Sequence, residues 1–206
     1  MRIGILGTGM MANLVMEIIN RLAFSYIAVL GRKESEEKAK ALCRENGLDA
    51  YYLDYDELLD SDVDTIYVAL PNHLHYEFAK KALLHGKHVI IEKPITANAV
   101  QLKDLMETAK GQGKMMFEAM NIHYLPAYCS LKDHLAQAGD LKIVSFNYSQ
   151  YSSRYDAFKK GEILAAFDPA RAGGALMDLN VYNIHAMVGL FGKPEKVIYE
   201  ANVERG

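Results

Sequence analysis

Short apolar runs alternate with helical segments over the first 120 residues. The runs RIGIL, YIAVL and TIYVAL are nearly continuous in apolar residues, which is typical of strands buried on both faces. AYYL, HVII and KMMFEA are three further predicted strands. Helical periodicity separates them, and the first predicted helix has apolar positions at Met11, Leu14, Val15, Ile18, Ile19 and Leu22. The alternation predicts a parallel sheet with helices on both faces, the doubly wound α/β class.

Helix start and stop signals support this alternation. A charged helix ends at the Asn46-Gly47 pair, since glycine is favoured just beyond the end of a helix. Asp54 and Glu57 have the D-x-x-E spacing of a helix start. Further helices are predicted near residues 73–85 and 98–110, which completes the alternation.

The pattern changes after residue 120. A helix is predicted near residues 126–138, then a long strand KIVSFNYSQYSS, a helix within residues 173–187 and a last strand EKVIYEANVE. Alternating apolar and polar positions in the long strand favour an open, mostly antiparallel sheet. We predict a first domain at 1–120 and a second at 121–206. Two strands and two helices cannot close a covered sheet, so we expect the second domain to be a truncated part of a longer polypeptide.

Composition restricts the classes of partner. The chain has 206 residues, 50% of them hydrophobic, and a net charge of -3, so it has no basic surface typical of nucleic-acid or membrane binding. No apolar run approaches the length of a membrane span. Cys43 and Cys129 have neither disulfide nor zinc spacing, so we expect no metal, reduced thiols and a cytoplasmic location. A small-molecule partner is therefore favoured.

A glycine-rich motif lies directly between the first predicted strand and the first helix. It has the pattern GxGxxA and comprises Gly7, Thr8, Gly9, Met10, Met11 and Ala12. Its glycines let the backbone turn tightly and approach a pyrophosphate, which the N–H groups at the helix start then bind. In this strand-loop-helix context the motif predicts dinucleotide binding, although a plain tight turn is the alternative.

The end of the second strand indicates which dinucleotide. NAD-binding proteins usually place a carboxylate here for the ribose 2′-hydroxyl, but this chain has Gly31, Arg32 and Lys33. Gly31 would leave space and the two cations would bind a 2′-phosphate. NADP is therefore predicted in preference to NAD, with a solvated basic turn as the alternative.

Two further segments contain candidate catalytic residues. Glu92 and Lys93 follow the fifth strand, at the sheet edge where open α/β folds bind ligands. Asp178, Tyr182 and His185 are spaced by four and three residues, which places them on one stripe of a largely apolar helix. This stripe predicts either a cleft-facing active site or a buried polar network.

Several motifs in this order resemble those of the glucose-fructose oxidoreductase, inositol dehydrogenase and MocA (Gfo/Idh/MocA) family. The matching stretches are GILGTGMMA, VALPNHLHYEFAKKALLHGKHVIIEKP, EAMNIHYLP and GGALMDLNVY. The resemblance implies an N-terminal Rossmann domain and a C-terminal α/β domain, whose open sheet commonly forms the interface of a homo-oligomer. It also implies hydride transfer between nicotinamide and an alcohol or carbonyl of a sugar, polyol or cyclic diol.

The resemblance also implies roles for particular residues. Lys93 matches the lysine of the EKP motif beside the nicotinamide and substrate. Asp178 matches an aspartate that would orient substrate hydroxyls. Tyr182 replaces the usual catalytic histidine, as in a tyrosine-type subgroup similar to dihydrodiol and xylose dehydrogenases, and Asn180 replaces a usual glycine. His185 could instead move the proton, while the cofactor pocket would include Leu70, Pro71, Asn72, His75 and Glu92.

A noncatalytic member that binds dinucleotide and sugar as a regulator is the alternative function. Lys93 together with the protonatable Tyr182 favours the enzyme. A phenol has an ordinary pKa of about 10, so an ammonium nearby would be needed to make it an effective base near neutral pH. We expect Lys93 to supply that charge. The histidines at 73, 75, 85, 88 and 123 are expected to be structural or exposed, although His75 also falls on a motif position of the family and is kept as a cofactor-pocket candidate.

Overall fold

The computed structural model describes residues 1–19 and 21–204, which form two compact units. The first unit contains Met1–Ala119 and Ser153–Asp178. The second contains Met120–Ser152 and the chain from Leu179 onward. The first unit therefore contains, besides the predicted nucleotide-binding region, a return segment at residues 153–178.

A six-stranded sheet organises the first unit. Its spatial order is β3-β2-β1-β4-β5-β6, and each of these neighbouring strand pairs is parallel. The prediction of a doubly wound parallel sheet is thus confirmed. The strands are β1 Arg2–Leu6, β2 Tyr26–Leu30, β3 Ala50–Tyr52, β4 Thr65–Val68, β5 His88–Glu92 and β6 Met116–Ala119.

Helices follow the strands as the periodicity predicts. Those of the sheet region are α1 Met10–Ile19, α2 Glu36–Asn46, α3 Tyr55–Asp60, α4 His75–Leu84 and α5 Ala99–Gly111. Short 3-10 turns at Lys33–Ser35 and Asn72–Leu74 precede α2 and α4. None of the helices described within residues 1–19 and 21–204 combines the length and apolarity needed to cross a bilayer.

The sheet has an apolar core on each face. Successive residues of one strand lie in opposite cores, as Ile5 and Leu6 do. Ile5 and Leu6 are both fully buried. Burial on both faces explains why the strand sequences are apolar at nearly every position.

The predicted apolar face of α1 is only partly correct. Ala12, Met16 and Ile19 are its buried residues, whereas the predicted core positions Leu14 and Ile18 are exposed. Apolar residues surround most of this helix, so periodicity alone could not choose the side that packs on the sheet.

The return segment contains one short helix and several turns. Helix α7 spans Tyr155–Lys159, and 3-10 turns follow at Ala165–Phe167 and Pro169–Arg171. A π-helical turn begins at Leu176 and reaches Asn180. The return segment is therefore built mainly from turns, which the sequence did not predict.

The second unit has helices but not the two predicted strands. It contains a 3-10 turn Asn121–Tyr124, helix α6 Pro126–His134, a 3-10 turn Leu135–Ala138 and helix α8 Val181–Phe191. Within the described part of the chain, residues 142–153 and 195–204 form no strand, so the predicted sheet of the second domain is not confirmed. A strand needs a hydrogen-bonded partner, and Ile143 and Val197 in these segments are 90% and 75% exposed.

Asp54 caps the N-terminus of α3. Its carboxylate accepts hydrogen bonds from the backbone N–H groups of Asp56 at 2.8 Å and Glu57 at 3.2 Å. Asp54→Ala should reduce the free energy of unfolding by about 1 kcal/mol, because two N–H groups lose their cap. Urea denaturation at neutral pH measures this, with Asp60→Ala at the other end of α3 as the control. An equal loss in both variants would contradict the capping role.

Candidate active site

The backbone conformation of the glycine-rich loop requires glycine at position 7. Gly7 adopts a φ of 106°, and a Cβ there would lie 2.8 Å from the carbonyl oxygen of Ala69. The N–H of Gly7 donates to the carbonyl oxygen of Leu30 at 2.9 Å, which holds the loop against the end of β2. Only glycine meets both the conformational and the steric requirement.

Open space and helix polarity at this loop suit an anionic ligand. A Cβ on Gly9 would meet no atom within 4 Å, and α1 begins at the next residue, Met10. The side chain of Asn13 secures the loop by donating to the carbonyl oxygen of Gly9 at 2.7 Å. The N–H groups of the first helical turn can therefore bind a pyrophosphate, so the residues present fit a dinucleotide.

Gly31 and Arg32 lie at the end of β2, next to the glycine-rich loop. A Cβ on Gly31 would lie 2.8 Å from the Cβ of Ala39 and 3.6 Å from the side chain of Thr8. Gly31 thus allows close packing of α2, rather than leaving space for a ligand as the sequence suggested. The Arg32 and Lys33 side chains are exposed, where they can meet a phosphate at this edge.

His75 joins the loops that follow β4 and β5. This fully buried ring has Nδ1 2.8 Å from the carbonyl oxygen of Pro94 and Nε2 2.8 Å from that of Leu70. Burial lowers the pKa of His75, and the two carbonyl contacts oppose this shift. Both ring nitrogens face the protein backbone, so His75 positions the pocket instead of contacting the cofactor as the motif suggested.

Glu92 is a buried carboxylate at the end of β5. It accepts hydrogen bonds from the hydroxyl of Tyr67 and, at 3.3 Å, from the backbone N–H of Lys93. Burial, followed by the negative charge of Glu92, raises the pKa of the Tyr67 phenol far above its ordinary value. Tyr67 therefore remains a hydrogen-bond donor that fixes Glu92 at the sheet edge.

Lys93 and Asp178 form an ion pair in the first unit. Lys93 Nζ donates to Oδ1 and to the backbone carbonyl oxygen of Asp178, each at 2.9 Å. The Lys93 side chain is 16% exposed, so this charge-assisted pair is partly shielded from water. Asp178 therefore orients the ammonium group of Lys93. The sequence predicted that Asp178 orients substrate hydroxyls and did not predict this contact.

A cavity of about 450 Å³ brings most of these residues together within the first unit. Its walls include the glycine-rich loop, the segment after β4, the end of β5 and the return segment. The predicted site residues in its lining are Gly9, Met10, Met11, Leu70, Pro71, Asn72, Glu92, Lys93 and Asp178. The predicted residues Gly7, Thr8, Gly31, Arg32 and His75 are not part of that lining.

Two arginines in the cavity wall were not predicted. Arg154 precedes α7, and Arg171 ends a 3-10 turn whose Asp168 pairs with its Nε at 3.3 Å. Asn72 also has an unexpected role, since its Nδ2 donates to the carbonyl oxygen of Ala172 at 2.8 Å. These partners are 100 residues apart, so no local pattern could have identified the contact.

The other two predicted catalytic residues lie in the second unit. The ring of Tyr182 packs edge-on against Tyr148, with centroids 5.4 Å apart. His185 Nδ1 lies 3.1 Å from His123 Nε2, so one ring donates to the other. Among residues 1–19 and 21–204 there is no cluster of three or more potential metal ligands.

Residues 1–120 match the model of a family described as an oxidoreductase family with an NAD-binding Rossmann fold. The chain is also 36% identical over 197 residues to the NADP(+)-dependent scyllo-inositol 2-dehydrogenase IolU of Bacillus subtilis, which covers 95% of this chain and 60% of that protein. It is 29% identical to trans-1,2-dihydrobenzene-1,2-diol dehydrogenase of Sus scrofa, over 96% of this chain and 58% of that protein.

A solved structure gives a comparable match. The 3-ketoreductase KijD10 of Actinomadura kijaniata, in complex with NADP and TDP-benzene, has a TM-score of 0.78 and 27% identity. The match covers 93% of this chain and 57% of that one. The chain thus spans about 60% of the length of the relatives that it matches.

The buried ring of His75 makes the stability of the fold depend on pH. Because the pKa of His75 is lowered, the folded state favours the neutral ring. The contribution of His75 to stability is therefore fully present above the pKa of an unfolded histidine, about 6.5. This contribution should be lost as the pH falls below that value toward the folded pKa. His75→Gln should show a smaller decrease in unfolding free energy between pH 7 and pH 5 than the wild type. Urea titrations at both pH values, with the exposed His85→Gln as the control, would contradict this if His75→Gln retained the full decrease.

Proposed function

Because the chain belongs to the Gfo/Idh/MocA oxidoreductase family, with its NAD-binding Rossmann fold, we propose that it is a dinucleotide-dependent oxidoreductase. The reaction is hydride transfer between nicotinamide and an alcohol or carbonyl group of a sugar, polyol or cyclic diol. The main support is the cavity whose lining brings Gly9 of the glycine-rich loop together with the Lys93–Asp178 pair. The names of the inositol and dihydrodiol dehydrogenase relatives support the substrate class.

Lys93 is proposed to act on the substrate oxygen. Its bonds to Asp178 hold the ammonium group at the carboxyl edge of the sheet, and an ammonium can stabilise negative charge that develops on an alkoxide. The dinucleotide supplies or accepts the hydride. Asp178 is a positioning residue in this scheme, because it acts on the substrate through Lys93.

Tyr182 is proposed as the residue that exchanges the proton. It follows Asp178 by four residues and has a hydroxyl that can both donate and accept a proton. His185 is the alternative proton carrier. Its ring is engaged with His123, which favours a supporting role for His185.

The second unit is proposed to complete an open sheet in the whole protein. Residues 142–153 and 195–204 have strand-like alternation, so their backbone N–H and C=O groups would pair with other strands. Their exposed apolar side chains would then form a homo-oligomer interface. The first domain would then correspond to 1–120 and the second would begin at residue 121, with residues 153–178 packing in the first unit. We also infer a cytoplasmic location, which the absence of a disulfide spacing between Cys43 and Cys129 supports.

NADP is proposed as the preferred cofactor. Arg32 is an exposed cation at the end of β2, where NAD-binding proteins usually have a carboxylate. We expect NADPH to bind at least about tenfold more tightly than NADH, which requires only about 1.4 kcal/mol. Arg32→Ala should remove most of this preference, whereas Lys38→Ala on the exposed surface of α2 should not. Fluorescence titrations with both reduced cofactors measure the ratio. Equal affinities in the wild type would contradict the proposal.

The proton-transfer proposal predicts that Tyr182→Phe lowers the rate of hydride transfer by at least about a hundredfold, within the usual range for general acid–base catalysis. NADPH affinity should change less than threefold, because the phenol acts on the substrate. Single-turnover kinetics of the full-length protein, with His185→Ala assayed in parallel, measure the step. If Tyr182→Phe keeps most activity while His185→Ala abolishes it, His185 is the proton carrier. NADPH binding without turnover on any sugar, polyol or diol would support the regulator instead.

A further inference from the structure

The return segment at residues 153–178 forms one wall of the cavity in the first unit. Two side chains of the sheet region hold it there: Asn72 donates to the carbonyl oxygen of Ala172, and Lys93 pairs with Asp178. The segment is also closely packed on itself, since a Cβ on Gly173 would collide with the carbonyl oxygen of Ala165. The backbone of this wall is therefore held by contacts with the sheet region and by close packing within the segment.

The return segment lines the cavity with apolar side chains and two guanidinium groups. Leu164, Ala165 and Ala166 are apolar, and Arg154 and Arg171 are the residues that add guanidinium groups. A guanidinium has five N–H donors and no acceptor. A neutral polyol offers hydroxyl groups that both donate and accept, and it is best matched by a mixture of donors and acceptors. A wall with guanidinium donors favours a ligand with negatively charged oxygens.

Contacts with Asp168 orient the guanidinium group of Arg171. Asp168 Oδ2 pairs with its Nε at 3.3 Å, while Asp168 Oδ1 accepts from the backbone N–H of Ala170 at 2.9 Å. Asp168 is therefore fixed by the turn and restricts the direction of the guanidinium. The two carboxylates in the cavity lining are also engaged, Glu92 with Tyr67 and Asp178 with Lys93.

We propose that Arg154 and Arg171 bind an anionic oxygen group of the substrate, a carboxylate or a phosphate. The substrate would thus be an acidic or phosphorylated sugar or polyol, and this inference rests on the proposed hydride-transfer function. The anionic groups of the cofactor have other partners in the proposed function: the pyrophosphate binds at Gly9 and the start of α1, and the 2′-phosphate binds Arg32. The two arginines of the return segment are thereby assigned to the substrate.

Paired substrates test the proposal on the full-length protein with NADP. Glucose, galactose and xylose are each compared with a carboxylate-containing and a phosphate-containing derivative, and kcat/KM is measured for every member. The ratio of anionic to neutral kcat/KM should be at least about tenfold in the wild type. It should fall at least about tenfold in Arg154→Gln and Arg171→Gln. Lys159→Gln, which removes an exposed cation of α7, is the matched control and should keep the wild-type ratio.

The two ligand chemistries and the cofactor alternative give different results. A preference confined to the carboxylates or to the phosphates identifies the anionic group. A ratio near one in the wild type overturns the proposal. An arginine variant that weakens NADPH binding tenfold and leaves the substrate ratio unchanged also overturns it, because the arginine would then bind the cofactor.

Equilibrium binding separates this inference from the proposed function. Calorimetric titration of the same compounds into the NADPH-loaded protein needs no turnover. Selective binding of the anionic members, lost in Arg171→Gln, supports the arginine site even if none of the compounds is oxidised, in which case only the proposed function fails. Equal binding of anionic and neutral members, or the absence of binding by any anionic member, overturns the arginine site.

Discussion

The parallel pairing of β1, β4 and β5 is the constraint on which the candidate site depends. In this register Leu6 lies opposite Val68, and Val68 lies opposite Ile91, so the three strands end at one edge of the sheet. The glycine-rich loop, residues 69–72 and the Glu92–Lys93 pair then follow at that same edge. An antiparallel arrangement would send neighbouring strand ends to opposite edges and separate these groups. The close approach of Gly7 to the Ala69 carbonyl is a direct consequence of this register.

The ion pair between Lys93 and Asp178 connects this edge to the return segment of the first unit. A partly buried ion pair adds little net stability, because desolvation of the charges offsets most of their attraction. Its value lies in geometry, since two bonds from one ammonium to Asp178 restrict where Lys93 can point. His75 and Glu92 restrict the backbone on either side of Lys93 by contacts to Pro94 and to the Lys93 N–H. The lysine is thus held by several independent contacts, which suits a group that must meet a substrate oxygen.

Local sequence signals were sufficient for the sheet and the glycine-rich loop, because strand composition, helix caps and glycine spacing are properties of neighbouring residues. They were insufficient where tertiary contacts decide. Arg154, Arg171 and the bond from Asn72 to Ala172 depend on the return of residues 153–178 to the sheet region, which no periodicity indicates. The orientation of α1 was predicted only in part because apolar residues occur around most of the helix. The predicted strands at 142–153 and 195–204 have suitable alternation, but a strand also requires a pairing partner that alternation cannot supply.

The dinucleotide is proposed to bind at the carboxyl edge of this sheet, against the start of α1. Hydrogen–deuterium exchange of the full-length protein, with and without saturating NADPH, measures whether the backbone amides at this edge are covered by the cofactor. We predict slower exchange for the backbone amides of residues 7–12 and of 69, 70 and 72, because the bound pyrophosphate and nicotinamide portions would shield them. Protection confined to segments of the second unit, or no change at the glycine-rich loop under conditions where NADPH is bound, would contradict the account.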